Sequence, residues 1–257
     1  MTFQLTEPIL LIGLGGVGVS LAEKAKKSLN SDCLMISHDQ KDLTAENSIK
    51  ISTKSVVNPS THLIRGSTLE TSDEIKKNIA NYSTVILISN LAGKAGAGIG
   101  PIVSRICKQE QKNLLSFTIM PFKFEKERIF QSGIALKRIR QDSQCTIVVD
   151  NDALLDSNPD LTQKQCYDIS NKAIDGVMHS LKSSEISEDI NILSTGKATD
   201  DIESSLKDSL RMLYEDAPPN SIKRSILYVY GGSNIPVGVL NTISNITGGT
   251  FDENSTH

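Results

Sequence analysis

A glycine-rich segment between an apolar run and an amphipathic stretch constrains the fold of this chain more than any other feature. Residues 9–12 read Ile-Leu-Leu-Ile, and the segment Gly13-Leu-Gly-Gly-Val-Gly18 follows directly. Apolar residues then recur at helical spacing as far as Leu29, and a second apolar run covers 33–36. This order of strand, glycine loop, helix and strand predicts a βαβ unit with parallel strands and a right-handed crossover.

The same order of elements repeats further along the chain. Apolar runs predict buried strands over 84–89, 114–119 and 145–149. A second glycine-rich segment, 90–100, is expected to form a loop that precedes a helix over 101–111. We therefore predict an α/β, Rossmann-like, three-layer fold with a parallel sheet, of the kind that binds nucleotides.

The second half of the chain predicts a long helix and a partial second domain. Thr162 and Gln165 have the spacing of a capping box, which would open a helix that ends near Ser183. Beyond a polar stretch, shorter elements are predicted: a strand over 190–193, a helix over 202–214, a strand over 226–230 and a helix over 237–246. We expect a nucleotide-binding domain over 1–183, which includes the long helix, and an abbreviated C-terminal domain over 184–257.

Composition excludes several classes of function. Thirty acidic and 27 basic residues give a net charge of −3, which argues against nucleic-acid binding driven by bulk charge. The uncharged run 8–22 contains four glycines and is too short for a membrane span. Four cysteines lack CxxC spacing and four histidines lack metal-site spacing, so we expect a reducing compartment. The chain is thus predicted to be cytoplasmic, without a nucleic-acid partner or a membrane span.

The two glycine-rich segments indicate phosphate binding. After a strand and before a helix, glycines let backbone N–H groups and the helix N-terminus approach a phosphate, although a tight turn for packing has the same pattern. Asp39 follows the second predicted strand, where a dinucleotide-binding fold places an acid, so an NAD site stays open. Two such segments at the carboxyl ends of strands favour one polyphosphate held from two sides, as in a nucleoside triphosphate site.

The chain resembles the tubulin/FtsZ family in the order of its motifs. GLGGVG at 13–18 matches the family's GxGGxG phosphate loop, and 92–98 matches its GGGTGTG-like signature loop. PFKFE at 121–125 matches the family's PFxFE string, and 149–154 looks like its IPNDxL segment. The resemblance implies a GTP-binding domain of the tubulin/FtsZ type, which binds GTP or GDP together with Mg²⁺.

The resemblance also implies which residues line the nucleotide site. Glu125 and Arg128 would approach the ribose and phosphates, and Asp39 would contact Mg²⁺ through water. Tyr167 would stack on guanine, while Asn171 and Asn151 would read the base and nucleoside. The remaining positions match the family's two glycine-rich loops and the helix after the first: Gly13, Gly15, Gly16, Gly18, Ser20, Gly93, Lys94, Ala95, Gly96, Ala97 and Gly98.

Several positions depart from the family pattern. Ala95 and Ala97 replace the two threonines of the signature loop. Ser20 stands where relatives usually have Asn, and Lys172 where they usually have Asp. Lys94 is unusual in the signature loop and would either neutralise phosphate charge or point into solvent. The segment 52–65 lacks the glycines with which relatives sense the γ-phosphate.

The family's acidic catalytic loop is not recognisable. Relatives carry an NxDxxD-like loop after the long helix, whose acids act on the nucleotide of a neighbouring subunit, whereas the segment 183–196 has no such motif. Glu188 and Asp189 are the candidates that remain, and no residue is assigned a catalytic role. We therefore expect nucleotide binding with weak or absent hydrolysis, and whether the chain is an enzyme stays open.

Three functions remain after these comparisons of motifs. The first is a GTP-binding, FtsZ-like cytoskeletal or cell-division protein with a regulatory or assembly role. The second is an NAD(P)-binding oxidoreductase, and the third is a nucleotide-free scaffold that keeps the fold. An abbreviated second domain would leave a strand edge uncovered, so self-association or a related FtsZ-like subunit is the expected partner.

Overall fold

The computed structural model describes residues 2–44, 46–54, 57–183, 186–196 and 201–218, together with the isolated positions 226, 227, 238, 241, 243 and 245. The predicted strand over 226–230 and helix over 237–246 therefore lie largely outside the described residues. The chain divides into two compact units. Unit 1 contains 1–149 and 178–191, and unit 2 contains 150–177 and 192–257.

Nine strands are present in the described residues. They are β1 (Thr2–Phe3), β2 (Ile9–Leu14), β3 (Asp32–Ser37), β4 (Ser48–Lys50), β5 (Thr84–Asn90), β6 (Asn113–Met120), β7 (Cys145–Asp150), β8 (Ile186–Ser187) and β9 (Asp189–Ile192). Seven of them form one sheet in the order β4-β3-β2-β5-β6-β7-β9, while β1 and β8 pair antiparallel. The predicted strands over 9–12, 33–36, 84–89, 114–119, 145–149 and 190–193 are confirmed to within one or two residues.

Eight α-helices connect or follow these strands in the described part of the chain. They are α1 (Gly15–Leu29), α2 (Thr61–Glu70), α3 (Ser72–Ile79), α4 (Lys94–Gln109), α5 (Lys126–Asp142), α6 (Asn151–Ser157), α7 (Gln163–Ser180) and α8 (Ile202–Asp216). Short 3₁₀ turns lie at Gln40–Asp42 and Leu181–Ser183. None of the described helices is both long and apolar enough to cross a membrane.

The centre of the sheet is parallel and fully buried. Leu11 of β2 lies opposite Cys33 of β3 on one side and Ile86 of β5 on the other. Every residue of β2 is buried, as expected for a central parallel strand covered by helices on both faces. Helices α2, α3 and α4 share one apolar cluster with Leu10 and Ile12, whereas α1 packs against β2, β3 and β5. The predicted three-layer α/β fold is confirmed.

The prediction that glycine-rich loops follow β2 and β5 was wrong. Strand β2 continues through Gly13 and Leu14 and passes directly into α1. Helix α4 begins at Lys94, so most of the segment assigned to the second loop is helical. Glycine has a low intrinsic helix propensity, but packing of this helix against β5 outweighs that preference.

Unit 2 contains the long helix, and the structure confirms how it begins. The Thr162 N–H donates to Gln165 Oε1 at 2.8 Å, and the Gln165 N–H donates to Thr162 Oγ1 at 3.3 Å. This is the reciprocal pattern of a capping box. Helix α8 begins after Asp201, whose carboxylate accepts the backbone N–H groups of Glu203 and Ser204.

Candidate functional site

The candidate site lies where the chain changes direction across the sheet. From β2 the chain proceeds outward to β3 and β4, and it then returns to β5 on the other side of β2. In open α/β sheets, ligands bind in the crevice that such a switch point creates at the carboxyl ends of the strands. Helices α1 and α4 begin immediately after β2 and β5, so two helix N-termini meet at this crevice.

The two glycine-rich segments are in direct contact there. Gly15, the first residue of α1, has φ of 64°, and a Cβ added to it would lie 2.9 Å from Ala95 Cβ. No side chain caps the first turn of either helix, and neither first turn contains an acidic residue. We call the first turns of α1 (15–17) and α4 (94–96) the phosphate cradle. Its uncapped N–H groups and the two helix dipoles favour an anion.

Gly16 is the exposed glycine of the first turn of α1, and Ser20 lies one turn further along the same face. A Cβ added to Gly16 would lie 2.9 Å from Asp42 Oδ1. The Asp42 carboxylate is held there by Ser37, whose hydroxyl donates to Oδ2 at 2.6 Å. Asp42 was not predicted from the sequence, although its position in the loop after β3, shared with Asp39, is a signal that could have found it.

Asp39 begins the 3₁₀ turn that carries Asp42. Its carboxylate accepts the Lys41 backbone N–H at 3.0 Å and is exposed. His38 precedes it, and burial lowers the pKa of His38, against the opposing effect of Asp39 and Asp42. The predicted Asp39 thus lies on the loop beside the cradle, where its carboxylate shapes the turn.

The later glycines of α4 serve packing. A Cβ added to Gly96 would lie 2.7 Å from the carbonyl carbon of Asn90 and would overlap its oxygen. A Cβ added to Gly98 would lie 2.9 Å from Ile64 Cγ2, and Ala97 belongs to an apolar cluster with Ala135. Gly93 is the N-cap of α4, and its N–H donates to the Asn90 carbonyl at 3.1 Å. Gly96 thus belongs to the cradle by position and also packs on Asn90, whereas Gly98 lies beyond the cradle.

Lys94 and Arg65 connect the second segment to the chain around α2. The Lys94 ammonium donates to Asn58 Oδ1 at 2.6 Å, so this exposed lysine is held by a neighbouring loop. The Arg65 guanidinium donates to the Ala97 carbonyl at 3.2 Å. Neither contact was predicted, because both depend on the short helix α2, for which the sequence pattern gave no clear signal.

The PFKFE string lies at the end of β6, next to β5. Phe122 is buried and stacks on Phe124, with ring centroids 5.1 Å apart. Glu125 precedes α5, and its carboxylate accepts the Arg128 guanidinium at 2.7 Å. The structure therefore pairs Glu125 with Arg128 at the carboxyl ends of the strands, the same end of the sheet as the cradle.

The predicted base-reading residues lie in unit 2. Asn151 is fully buried at the start of α6, and its Oδ1 accepts the Ser170 hydroxyl at 2.6 Å. Tyr167 and Asn171 are partly buried on one face of α7. Asn171 Oδ1 is sheltered from solvent and has no hydrogen-bond partner among the described residues. Burial raises the pKa of Asp150, which caps α6 by accepting the Asp152 N–H at 2.8 Å.

Asp189 lies near the amino end of β7, at the end of the sheet opposite the cradle. Its N–H donates to the Gln144 carbonyl at 2.8 Å, just before β7 begins, and its carboxylate is 3.8 Å from Arg140. The amino ends of parallel strands face away from the crevice at their carboxyl ends. Asp189, with Glu188 beside it, is therefore remote from the cradle of the same chain.

The described residues contain no cluster of three or more His, Cys, Asp or Glu side chains that could hold a metal ion. All four cysteines are buried and unpaired. Burial raises the pKa of Cys33 to about 11 and those of Cys107 and Cys145 to about 12. These thiols therefore remain protonated at neutral pH and are structural.

Comparison with known proteins decides the family. The family model described as "Tubulin/FtsZ family, GTPase domain" matches residues 8–159, which include both helix N-termini of the cradle. The chain belongs to the tubulin/FtsZ family. The match ends at residue 159, just beyond the last residue of α6.

Relatives within the family are similar over less than half of the chain. Cell division protein FtsZ 2 of Halobacterium salinarum is 27% identical over 100 residues, covering 39% of this chain and 25% of the relative. Cell division protein FtsZ of Haloferax mediterranei is 30% identical over 107 residues, covering 41% of this chain and 28% of the relative. The aligned stretch thus spans little more than a quarter of these relatives.

Solved structures of the family share the fold over nearly the whole chain. An FtsZ mutant from M. jannaschii has a TM-score of 0.76 at 18% identity, covering 96% of this chain and 83% of that one. CetZ from Methanosaeta thermophila has a TM-score of 0.61 at 16% identity, covering 95% and 80%. At these identities the likeness establishes the tubulin/FtsZ fold.

Proposed function

We propose that this chain is an FtsZ-like protein that binds GTP or GDP, with the phosphates on the cradle between β2 and β5. The observation that carries the proposal is the contact of Gly15 with Ala95, which joins two uncapped helix N-termini into one anion-binding surface. Membership of the GTPase-domain family supports guanosine nucleotides as the ligand class.

The residues of the cradle fit a polyphosphate, and Mg²⁺ would add to the positive charge of Lys94, which its hydrogen bond to the neutral Asn58 amide leaves intact. Lys94, the cation within the cradle, is engaged by Asn58. Because no metal cluster occurs among the described residues, a divalent cation would depend on the phosphates for most of its ligands. Asp39 is exposed beside the cradle, and we assign it to the water shell of the divalent cation.

Guanine recognition is assigned to unit 2. Asn171 offers an acceptor oxygen that has no partner among the described residues. Such an acceptor suits the N–H donors on the Watson–Crick edge of guanine, and Tyr167 lies one helical turn away for stacking. Asn151 has a different environment, because its side-chain oxygen already accepts the Ser170 hydroxyl. We therefore assign Asn151 to holding α6 against α7 within unit 2.

Hydrolysis is proposed to be weak or absent within one chain. Asp189 and Glu188 lie at the edge of the sheet opposite the cradle, so their carboxylates could act only on the nucleotide of another subunit. Self-association, or pairing with a related FtsZ-like subunit, is therefore part of the proposal. Phosphate release that rises with protein concentration, and falls when Glu188 and Asp189 are both replaced by Ala, would assign these acids a role in the assembly.

Calorimetric titration with GTP, GDP, ATP and NAD in Mg²⁺ tests the ligand. We expect binding of GTP and GDP, and weaker or no binding of ATP and NAD. Binding of NAD in preference to GTP would favour the oxidoreductase, and no binding of any ligand would favour the nucleotide-free scaffold.

A glycine pair tests the location. Gly16→Ala puts a methyl group on the exposed face of the cradle, where it meets only the movable Asp42 carboxylate, and should weaken GTP binding about tenfold. Gly66→Ala is the matched control, because a Cβ at Gly66 of α2 meets nothing within 4 Å. Equal affinity of the two variants would place the phosphates elsewhere.

A further inference from the structure

We propose that the Asp42 carboxylate weakens phosphate binding at the cradle by electrostatic repulsion, and we call this effect the electrostatic brake. The inference rests on the proposed function and concerns the regulation of the same site. Asp42 reaches the first turn of α1 from the loop after β3, and its carboxylate faces the surface to which an anion would bind.

The position of the carboxylate is fixed by contacts on both sides. Oδ1 lies 2.9 Å from the ideal Cβ position of Gly16, and Oδ2 lies 3.9 Å from that of Gly15. The Ser37 hydroxyl donates to Oδ2 at 2.6 Å, and Ser37 is fully buried at the end of β3. A buried donor on a central strand therefore holds the negative charge beside the glycine turn.

No direct ion pair compensates the charge of Asp42 in the described part of the chain. Asp42 forms no ion pair among the described residues. Lys94 is bonded to Asn58, and His38 is neutral at pH 7 because burial lowers its pKa. No hydrogen bond connects the carboxylate to the first-turn N–H groups of α1, which lacks a side-chain cap. The cradle thus combines N–H donors that favour an anion with a carboxylate that repels it.

The repulsion grows with the charge of the ligand. Two unit charges about 4 Å apart interact strongly at a protein surface, and both solvent and counterions reduce the effect. Affinity for GTP should therefore be reduced more than affinity for GMP, and a divalent cation that accompanies the phosphates should relieve most of the reduction. In this way Asp42 makes nucleotide binding depend on the cation.

Asp42→Asn tests the brake because it removes the charge and keeps an oxygen for the Ser37 hydroxyl. In EDTA, we expect GTP to bind this variant about tenfold more tightly than the wild-type chain, and GMP to change less than about threefold. In excess Mg²⁺ the difference for GTP should shrink. Asp42→Glu keeps the charge and should retain the weak binding of the wild type.

Glu23→Gln is the matched control. It changes the net charge by the same amount, on a residue of α1 that lies away from the cradle and accepts the Thr44 hydroxyl at 3.3 Å, and it should leave GTP affinity unchanged. Circular dichroism melts of all variants would confirm that each one folds.

The outcomes separate the two proposals. Suppose that the wild-type chain binds GTP in Mg²⁺. If Asp42→Asn then shows no gain in GTP affinity in EDTA, or gains as much affinity for GMP as for GTP, the electrostatic brake is wrong and the nucleotide site stands. If neither protein binds any nucleotide in Mg²⁺, the proposed function fails and the brake fails with it.

Discussion

The two glycine-rich segments look alike in sequence but differ in how many of their glycines are open to a ligand. In the first segment, Gly15 adopts a positive φ and Gly16 is exposed, so these residues open the start of α1 to a ligand. In the second, Gly96 and Gly98 are buried against the end of β5 and against α2. Gly15 and Gly16 of the first segment provide access. Gly18 of the same segment allows close packing, as Gly96 and Gly98 do, because a Cβ added to it would lie 2.5 Å from the Ile88 carbonyl oxygen.

This difference shows that glycine spacing alone does not identify the atoms that contact a phosphate. A helix can approach a strand or a neighbouring helix closely only where no Cβ intervenes, which requires glycine as strictly as a ligand does. Replacing Gly96 would therefore disturb the fold before it affected a phosphate. The contact with Asn90 gives Gly96 a packing role in addition to the phosphate approach that the sequence pattern predicts.

The largest effect is expected for Gly96→Ala. Its Cβ would overlap the backbone of Asn90, which cannot move without disturbing β5, so the variant should lose about 3 kcal/mol or more of unfolding free energy. Urea denaturation compared with Gly16→Ala measures the contrast. If both variants lost the same stability, the division into access and packing glycines would be wrong.

Gly15→Ala should have an intermediate effect on stability. An alanine at a φ of 64° costs about 1–2 kcal/mol, and its Cβ would lie only 2.9 Å from Ala95 Cβ. The double variant Gly15→Ala with Ala95→Gly removes the steric part and leaves the cost of the backbone conformation.

The same two variants test whether the two helix N-termini of the cradle are in contact. If denaturation shows that Ala95→Gly recovers part of the stability lost in Gly15→Ala, the two segments touch in solution. A strictly additive pair would contradict that contact.

Much of the fold could be predicted because its signals are local. The continuous apolar runs of β2 and β5 are typical of central parallel strands, and Thr162 with Gln165 predicts the start of α7 by hydrogen bonds within one turn. The start of α4 could not be predicted in this way, because its glycines become helical only through packing against β5 and α2.

The candidate site was only partly predictable for the same reason. Gly15 and Glu125 follow from motifs whose members are close in sequence. Asp42 depends on the path of the loop after β3, and the Lys94 contact depends on where Asn58 lies. Helix α2 buries few residues, Ile64 and Thr68, so its apolar periodicity is weak, although Ser60 accepts the Leu63 N–H as an N-cap.

The smallest effect on unfolding free energy, and the one of opposite sign, is expected at a helical glycine that neither opens a site to a ligand nor packs closely against a neighbour. A Cβ added to Gly133 of α5 meets nothing within 4 Å, and Gly133 is exposed. Gly133→Ala should therefore gain about 0.5–1 kcal/mol, because alanine restricts the unfolded chain and favours helix. Thermal unfolding should shift upward by about 1–4 °C, with GTP affinity unchanged. A loss of stability in Gly133→Ala would mean that α5 needs this glycine for a reason other than space. The differences among the glycines of the two glycine-rich segments could then no longer be attributed to Cβ contacts alone.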